Sequence, residues 1–419
     1  MNSDVVTAWL RNNDVGPPAP IAAVLITCQY WPVTYEPRQP RVALLPRVIV
    51  FCFLVAISLS PITRTTVPEA SAGQKPMTPL AISQVRSSNV VYVLATSGCA
   101  QPSCLRLLRT NVSAESFTSV APPPFHALHG TFTGTLRNMQ FANVSDGYAI
   151  VGVTGPTSLY VTLNGARTWH RVTIHKGATT LGLTTTATSI YAITGVCSRN
   201  GVSCHDYRIA RSPLSANRWT SSTMPIGHSR KTGAWGFPYV PDAFGSDVWI
   251  SEQPPGPAVI FYSRNGGRSF QKLLTPKLGS VNACGLIPES ATALWADCPT
   301  GMQESFFFSK DAGTSWIQVP QQQFMGTGGG FFDPVTATLA YLDYGAESPL
   351  VRITTSPRLA TTVGVLSCSK INSSVNGLIF TNARDGVALC LPGDDQAAGR
   401  LEKTIDGGRT WMDVALASG

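Results

Sequence analysis

The sequence predicts an all-β fold, a seven-bladed β-propeller, and three observations support this prediction. A short motif of the form Ser/Thr-x-Asp/Asn-x-Gly/Ala-x-Ser/Thr-Trp/Phe occurs four times. The motif and its weaker echoes recur about every 50 residues, a period typical of propeller blades. A pair of short apolar segments joined by a polar turn precedes each copy, as expected for β-hairpins. The four clear copies begin at Thr162, Ser263, Ser309 and Thr404.

The number of blades follows from the number of repeats. Degenerate echoes begin at Thr110 and Ser212, and an eroded seventh copy is expected near Thr354 to Pro357. Each blade is predicted to carry four strands, A to D, with the A–B hairpin before the motif and strand D after it. No strand is left over at either end of the ring, which spans about 80 to 416. Closure is therefore predicted to depend on packing between blades one and seven, helped by residues 73–79.

The motif has the chemistry of a turn. A hydroxyl followed two residues later by Asp or Asn can hydrogen-bond the backbone N–H groups of a tight turn. Glycine at the fifth position supplies a positive φ, and Ala166 in the first copy predicts a strained or differently shaped turn. The closing aromatic ring is predicted to bury a large apolar surface between sheets. The residues given these structural roles are Asn164, Trp169, Asn265, Phe270, Asp311, Trp316, Asp406 and Trp411.

Two of the upstream turns contain an Asp-Gly pair, at Asp146-Gly147 and Asp385-Gly386. Asp-Gly is a preferred pair for two-residue hairpin turns, in which both central residues have positive φ. Both acids are therefore predicted to shape A–B turns and not to act in catalysis.

The motif resembles the Asp-box, the repeat of sialidases, sortilin-like receptors, xyloglucanases and the photosystem II assembly-factor family. The resemblance to the last family covers the whole predicted ring, as strand–turn–strand followed by a motif such as Thr404–Trp411. It implies a β-propeller whose boxes lie at the blade periphery, away from any ligand. It implies little about the function, because that family name is spread over many exported bacterial proteins without photosystems.

The N-terminal region has the pattern of an export signal. The apolar run 48–60 follows Arg41 and Arg47, and Ala70-Ser71-Ala72 offers a small-x-small cleavage pattern. This run is shorter than the roughly 20 residues of a membrane span but suits a signal peptide. An uncleaved signal anchor is the alternative, and the membrane would then be contacted only through this segment. The predicted organisation is a disordered or mis-assigned extension (1–47), a signal region (48–72) and the propeller (73–419).

Cysteine usage also indicates export. Four local disulfides are predicted, because the members of each pair flank one loop or the ends of one hairpin. Such staples require an oxidising compartment, whereas zinc is disfavoured because no Cys-x2-Cys spacing occurs. The predicted pairs are Cys99–Cys104, Cys197–Cys204, Cys284–Cys298 and Cys368–Cys390. No metal or cofactor is predicted.

The charge balance gives a mild preference for anionic partners. The formal net charge is +8, and only 13% of the residues are charged. A positive excess attracts anions, but no Lys/Arg run or basic-aromatic stripe indicates nucleic-acid binding. The chain is predicted to be a monomer.

The candidate binding site lies on one face of the predicted ring. The A–B and C–D turns share a face and are short, whereas the B–C and D–A loops share the other, which we call the long-loop face. Long loops on a rigid scaffold commonly carry binding residues. Aromatic, cationic and imidazole groups on this face would suit a site for a protein, peptide or glycan, but the same groups equally describe any polar loop. The candidate ligand-binding residues are His126, His228, Arg230 and Trp235.

Two functions compete at this stage. The first is an exported, non-catalytic propeller that binds a protein, a peptide or a surface glycan through the long-loop face. The second is a secreted glycoside hydrolase of the sialidase type. No Arg-Ile-Pro motif occurs, and no arginine trio can be assembled around the axis. Asp333 and Asp343 are the only acids predicted on the long-loop face that could serve as a hydrolytic pair.

Overall fold

The protein is described by a computed structural model that defines seven four-stranded antiparallel sheets. All strands lie within the compact unit Ala70–Gly419. The described residues contain no α-helix, and hence no helix long and apolar enough to cross a membrane. The predicted signal region 48–72 lies outside them. The structure describes residues 77–85, 88–97, 104–112, 116–124, 136–152, 157–198, 204–225, 241–252, 259–273, 284–300, 303–319, 331–343, 349–366, 373–392 and 399–416.

The strands follow one another in chain order, four to a blade. Blade one contains β1 (Thr78–Gln84), β2 (Val90–Thr96), β3 (Leu105–Asn111) and β4 (Thr118–Val120). Blade two contains β5 (Leu136–Phe141), β6 (Gly147–Val151), β7 (Ser158–Thr162) and β8 (His170–Val172). Blade three contains β9 (Thr179–Thr185), β10 (Ser189–Cys197), β11 (Cys204–Pro213) and β12 (Thr220–Thr223). Blade four contains β13 (Asp242–Phe244), β14 (Asp247–Glu252), β15 (Val259–Ser263) and β16 (Gln271–Leu273).

The remaining three blades repeat this arrangement. Blade five contains β17 (Gly285–Pro288), β18 (Leu294–Thr300), β19 (Gln303–Ser309) and β20 (Ile317–Gln318). Blade six contains β21 (Phe331–Thr336), β22 (Leu339–Asp343), β23 (Leu350–Thr355) and β24 (Arg358–Gly364). Blade seven contains β25 (Ser373–Phe380), β26 (Gly386–Pro392), β27 (Arg400–Thr404) and β28 (Met412–Asp413). First strands of neighbouring blades contact one another, as β5 does β9 and β21 does β25. The seven-bladed propeller predicted from the sequence is thus confirmed, including blade six with its eroded motif.

The hydrophobic core consists of seven clusters, one at each interface between neighbouring blades. Strands buried on both faces supply them, so the second strand of each blade is nearly all apolar; Val91 to Ala95 in β2 are all buried. Each blade thereby packs on two neighbours. The ring is therefore one continuous core, and no blade buries its apolar faces alone.

The interface between blades seven and one closes the ring without exchange of a strand. Among the described strands, each sheet is built from four consecutive ones, so no hydrogen-bonded ladder joins blade seven to blade one. A cluster that includes Met77, Val91, Leu401 and Leu416 fills this interface instead. The Met77 N–H also donates to the Leu416 carbonyl at 3.4 Å. Closure by packing of blade one on blade seven is as predicted.

Aromatic side chains on the second strands join neighbouring blades by hydrogen bonds. Tyr92, Tyr191 and Tyr341 each donate from the hydroxyl to a backbone carbonyl in the A–B turn of the next blade, at 3.2, 2.9 and 2.8 Å. Trp249 donates from the indole N–H to the Ala312 carbonyl in the repeat turn of blade five, and Trp295 donates to the Thr336 carbonyl in the A–B turn of blade six, both at 3.0 Å. All five residues are fully buried. A buried hydroxyl or indole N–H requires a hydrogen-bond acceptor. These bonds hold neighbouring blades at a fixed angle.

The glycines of the two Asp-Gly pairs differ from their predicted role. Gly147 and Gly386 have no positive φ, and each begins the second strand of its blade. A Cβ at Gly147 would lie 2.4 Å from the ring of Phe141, and one at Gly386 would lie 2.8 Å from Phe380. Glycine is required because an aromatic ring covers the backbone. The turn before it is longer than two residues and is shaped by an Asn: Asn143 Oδ1 accepts the N–H of Asp146 at 2.8 Å.

Candidate functional site

The four repeat turns, which we define as the segments from Thr162, Ser263, Ser309 and Thr404 to the aromatic residue seven positions later, share one hydrogen-bond geometry. In each, the first hydroxyl accepts the N–H of the fifth residue at 2.8–2.9 Å. The Asp or Asn Oδ1 accepts the N–H of the seventh residue at 2.8–3.0 Å. The side chains predicted to shape these turns do so, and their oxygens are used within the turn.

The carboxylates of these turns are held in their charged form. Burial alone would raise the pKa of Asp406, but hydrogen bonds from the Thr410 side chain and backbone, and from Thr404, outweigh it and lower the pKa to about 2. The pKa of Asp311 is lowered in the same way, as hydrogen bonds from Ser315 and Ser309 outweigh the effect of burial. A carboxylate this strongly hydrogen-bonded is a poor proton donor or acceptor near neutral pH.

The alanine in the first copy does not change the shape of the turn. Ala166 has φ 63°, in the same left-handed region as Gly408 with φ 82°. Its N–H makes the same hydrogen bond to Thr162 as the glycines make in the other copies, at 2.9 Å. The turn therefore keeps its shape, and Ala166 adopts a left-handed backbone conformation that is unfavourable for a residue with a Cβ. A Cβ at Gly408 would also meet Leu350 of blade six at 2.3 Å, so that turn requires glycine for packing as well.

The closing aromatic rings are half-buried and cap the interfaces from outside. Trp169 packs edge-on against Phe141 at 6.1 Å, and Trp411 packs edge-on against Phe380 at 5.9 Å. The indole N–H of Trp169 donates to the Ala121 carbonyl of blade one at 2.8 Å. These rings bury less surface than predicted. The large aromatics with no exposed surface are instead those of the second strands, such as Trp249 and Trp295.

Two of the four predicted disulfides are formed among the described residues. Cys197–Cys204 joins β10 to β11 at the base of a B–C loop, and Cys284–Cys298 joins the start of blade five to β18. Cys104 and Cys390 are also disulfide-bonded. Their predicted partners, Cys99 and Cys368, lie outside the described residues. Within the described part of the chain, no group of three or more His, Cys, Asp and Glu side chains could hold a metal ion.

The candidate ligand-binding residues from the sequence cannot be placed. His126, His228, Arg230 and Trp235 all lie outside the described residues.

The two acids proposed for hydrolysis are both described, and Asp333 lies at the interface between blades six and seven. Asp333, on β21, is half-buried and accepts a hydrogen bond from the Phe380 N–H of blade seven. Burial raises its pKa to about 8; the Phe380 N–H opposes the rise and the charge of Glu289 adds to it. Asp343, at the end of β22, has no exposed surface. Asp333 is thus engaged in joining blades, and Asp343 is closed to solvent.

A cleft of about 580 Å³ lies between blades one and two, on the side of the repeat turns. We call it the blade one–two cleft. One wall is β4, the outermost strand of blade one, and the other is formed by the first repeat turn and its neighbour Ser145. Each wall contributes a guanidinium group, Arg109 from β3 and Arg167 from the repeat turn. The cleft was not predicted, although an arginine follows the fifth position in three of the four motifs.

Arg109 is held in place by a tyrosine. Its backbone pairs with that of Tyr92 across β2 and β3, and its side chain hydrogen-bonds the Tyr92 hydroxyl. Burial raises the pKa of Tyr92, and the hydrogen bond and charge of Arg109 act in the opposite direction. The Tyr92 hydroxyl donates its own hydrogen bond to the Val144 carbonyl at 3.2 Å. A neutral partner thus orients the guanidinium and leaves its positive charge uncompensated.

The fold and these features define the class of the protein as a seven-bladed β-propeller. No protein-family model matches the chain, and no curated protein matches it by sequence. Solved structures match it by fold. Puromycin hydrolase is 12% identical with a TM-score of 0.55, over 83% of this chain and 55% of that one. A catalytically inactive virginiamycin B lyase from Staphylococcus aureus is 12% identical with a TM-score of 0.51, over 80% and 97% of the two chains.

A third solved structure is more distant in fold. YCF48 from Cyanidioschyzon merolae is 14% identical with a TM-score of 0.46, over 68% of this chain and 87% of that one. Identities this low show a common fold alone. The activities in the names of these proteins belong to those proteins.

Proposed function

We propose that this protein is an exported, non-catalytic propeller that binds a protein, a peptide or a surface glycan through its long-loop face. The repeat turns are Asp-boxes with a structural role, and the segment 48–72 acts as a signal peptide or membrane anchor. Within this proposal, His126, His228, Arg230 and Trp235 contribute the contacts to the ligand.

The observation that carries the proposal is the asymmetry between the two faces. Connections on the repeat-turn face are short: β13 ends at Phe244 and β14 begins at Asp247. The longest connections lie on the other face: β12 ends at Thr223 and β13 begins only at Asp242. Turns need only reverse the chain, whereas a long loop on a rigid scaffold is commonly retained for binding. The candidate residues fall within these long connections.

The disulfides support both export and a rigid platform. Cys197–Cys204 and Cys284–Cys298 both lie at the edge from which the long loops leave the ring. Disulfides persist in oxidising compartments, which favours an exported protein. They also limit movement of the loop bases, which lowers the entropy that binding must offset.

The positions of the acids argue against the glycosidase alternative. A hydrolytic pair must reach both sides of a bound glycosidic bond. Asp343 has no exposed surface, and the Asp333 carboxyl is engaged by the Phe380 N–H of the next blade. Asp333 therefore joins blades six and seven, and Asp343 is closed to solvent.

The test is a screen of the purified full-length chain on glycan and peptide arrays. Ligands found in the screen should lose affinity for an Arg230→Ala/Trp235→Ala variant by about tenfold or more, because aromatic and arginine anchors dominate binding energies. Asp385→Ala, which alters a turn on the opposite face, is the matched control and should retain affinity. Hydrolysis of an array glycoside that is abolished by Asp333→Asn would establish the glycosidase instead.

A further inference from the structure

The blade one–two cleft lies on the face opposite to the proposed binding loops, and it has the chemistry of an anion site. Its ten lining residues include two arginines, and none of the ten carries a carboxylate. Thr118, Ser119 and Ser145 add hydroxyl groups to its walls. Among the described residues, neither Arg109 nor Arg167 forms a salt bridge. Two uncompensated cations in a concave site attract anions more strongly than the same charges on an open surface.

The first arginine keeps unused donors for the cleft because of one residue difference between blades. In blade three the equivalent arginine, Arg211, donates from Nε and Nη2 to the hydroxyl of Ser189 at 3.2 and 3.0 Å. Ser189 lies two residues before the tyrosine that pairs with Arg211, and the same position in blade one is Val90. Valine offers no acceptor, so Arg109 has no counterpart of the serine hydroxyl to which Arg211 donates.

The two arginines also differ in how closely they approach the repeat turn of the next blade. Arg211 Nη1 would be 2.7 Å from a Cβ built on Gly266, so this guanidinium lies directly against the turn of blade four. Arg109 Nη1 would be 3.9 Å from a Cβ built on Gly165, the equivalent residue in blade two. The arginine of blade three fills the space over the turn, whereas the arginine of blade one leaves it open.

The second arginine stands on a rigid support. The N–H groups of Arg167 and Thr168 both donate to Asn164 Oδ1, at 3.1 and 3.0 Å. The turn is tied to blade one by the bond from the Ala121 N–H to the Ala166 carbonyl at 2.9 Å. Arg167 itself is exposed, so its guanidinium can reach a ligand in the cleft.

We propose that the blade one–two cleft binds a tetrahedral oxyanion, a sulfate or phosphate group, between Arg109 and Arg167. A dianion matches two cations in charge, and guanidinium groups bind such oxygens by paired, charge-assisted hydrogen bonds. Two guanidiniums from different blades can approach different oxygens of a tetrahedral group. The hydroxyls of Thr118, Ser119 and Ser145 provide further donors. The group is either a free ion or a substituent of a small sugar, and a cleft of about 580 Å³ admits both.

The experiment is isothermal titration calorimetry of the full-length chain at constant ionic strength. The probes are inorganic sulfate, inorganic phosphate, glucose 6-phosphate and, as the neutral control, glucose. We expect saturable binding of the anions and none of glucose. Tighter binding of glucose 6-phosphate than of inorganic phosphate identifies a sugar-borne group as the ligand, and equal or weaker binding identifies the free ion.

Variants separate the cleft from the general charge of the ring. Arg167→Ala and Arg109→Gln should each weaken anion binding about tenfold, the effect of losing one charge-assisted contact. Arg268→Ala removes an arginine from the same position of another repeat turn, and it should change affinity less than about twofold. Arg109→Lys keeps the positive charge but loses the paired N–H donors of the guanidinium. We therefore expect a loss of anion affinity smaller than that of Arg109→Gln.

Three results would overturn the proposal. These are the absence of saturable anion binding, an equal loss in Arg167→Ala and Arg268→Ala, and full affinity in Arg109→Gln. Unfolding midpoints are measured for each variant. If Arg109→Gln unfolds, the comparison of Arg167→Ala with Arg268→Ala decides alone, because both residues are exposed.

Discussion

Replacement of Asp406 tests whether the repeat turns are structural. The carboxylate accepts four hydrogen bonds: from the Thr404 hydroxyl at 2.8 Å, the Arg409 and Thr410 N–H groups at 3.0 Å each, and the Thr410 hydroxyl at 2.6 Å. Asp406→Ala removes both acceptor oxygens and with them all four hydrogen bonds. Each such bond contributes about 0.5–1.5 kcal/mol, toward the lower end here because water reaches the turn. We therefore expect a loss of about 2 kcal/mol in the free energy of unfolding.

The first repeat turn shows what to expect of a milder variant, Asp406→Asn. Asn164 occupies the same position in the first repeat turn, where its Oδ1 accepts the backbone N–H groups and its Nδ2 donates to the Thr168 hydroxyl at 2.8 Å. Asp406→Asn can reproduce that pattern. It should therefore cost much less than Asp406→Ala at neutral pH. Urea unfolding followed by tryptophan fluorescence at pH 7 measures both.

The pH dependence of the free energy of unfolding provides a second test of the same turn. The pKa of Asp406 is about 2 in the folded protein, below the ordinary value near 4. A lowered pKa stabilises the fold fully above the ordinary value, and this contribution is lost as the pH falls from about 4 to 2. Asp406→Asn should lose this part of the acid sensitivity, whereas Asp413→Asn, an exposed acid of the same blade, should not. An unchanged midpoint for Asp406→Ala, or equal losses for Ala and Asn, would refute the structural role.

Three further outcomes are expected from unfolding measurements. Trp295→Ala should cost about 3–5 kcal/mol and Trp411→Ala only roughly 2 kcal/mol, because only the first ring is fully buried; the reverse order would contradict the account of the inter-blade cores. Asp333→Asn should become increasingly stabilising as the pH rises from about 4 to 8, because a raised carboxyl pKa stabilises the fold only below that range; a pH-independent difference would be the contrary result. Replacing Cys197 and Cys204 by serine should cost about 2–3 kcal/mol, the entropy of a short closed loop, and no change would show the bond to be unimportant for stability.

The architecture could be predicted from the sequence because it is repeated. Seven motif positions and seven hairpins give the blade count even where the motif has eroded, as at Thr354 in blade six. Disulfides within one loop, such as Cys197–Cys204, could also be predicted, since the strand order places both ends of the loop together. Both inferences depend on residues that are close along the chain.

The remaining features depend on contacts between blades, which the repeat does not encode. The requirement for Gly147 comes from the ring of Phe141 above it, and the motif alone indicated a tight turn. The buried aromatics of the second strands, such as Tyr92, were not recognised because their partners are carbonyl groups in another blade. The cleft likewise requires Arg109 and Arg167 to meet across an interface. An arginine opposite a tyrosine on neighbouring strands is the signal that could have drawn attention to the cleft.

The most direct test of the proposed function is the map of backbone protection in the bound state. Hydrogen–deuterium exchange of the full-length chain is compared with and without the strongest ligand from the array screen. We expect slower exchange in the long connections on the long-loop face, above all 226–240 and 125–135, with the turns at Asp146 and Asp385 unchanged. Protection confined to the repeat-turn face, with the long connections unaffected, would contradict this expectation.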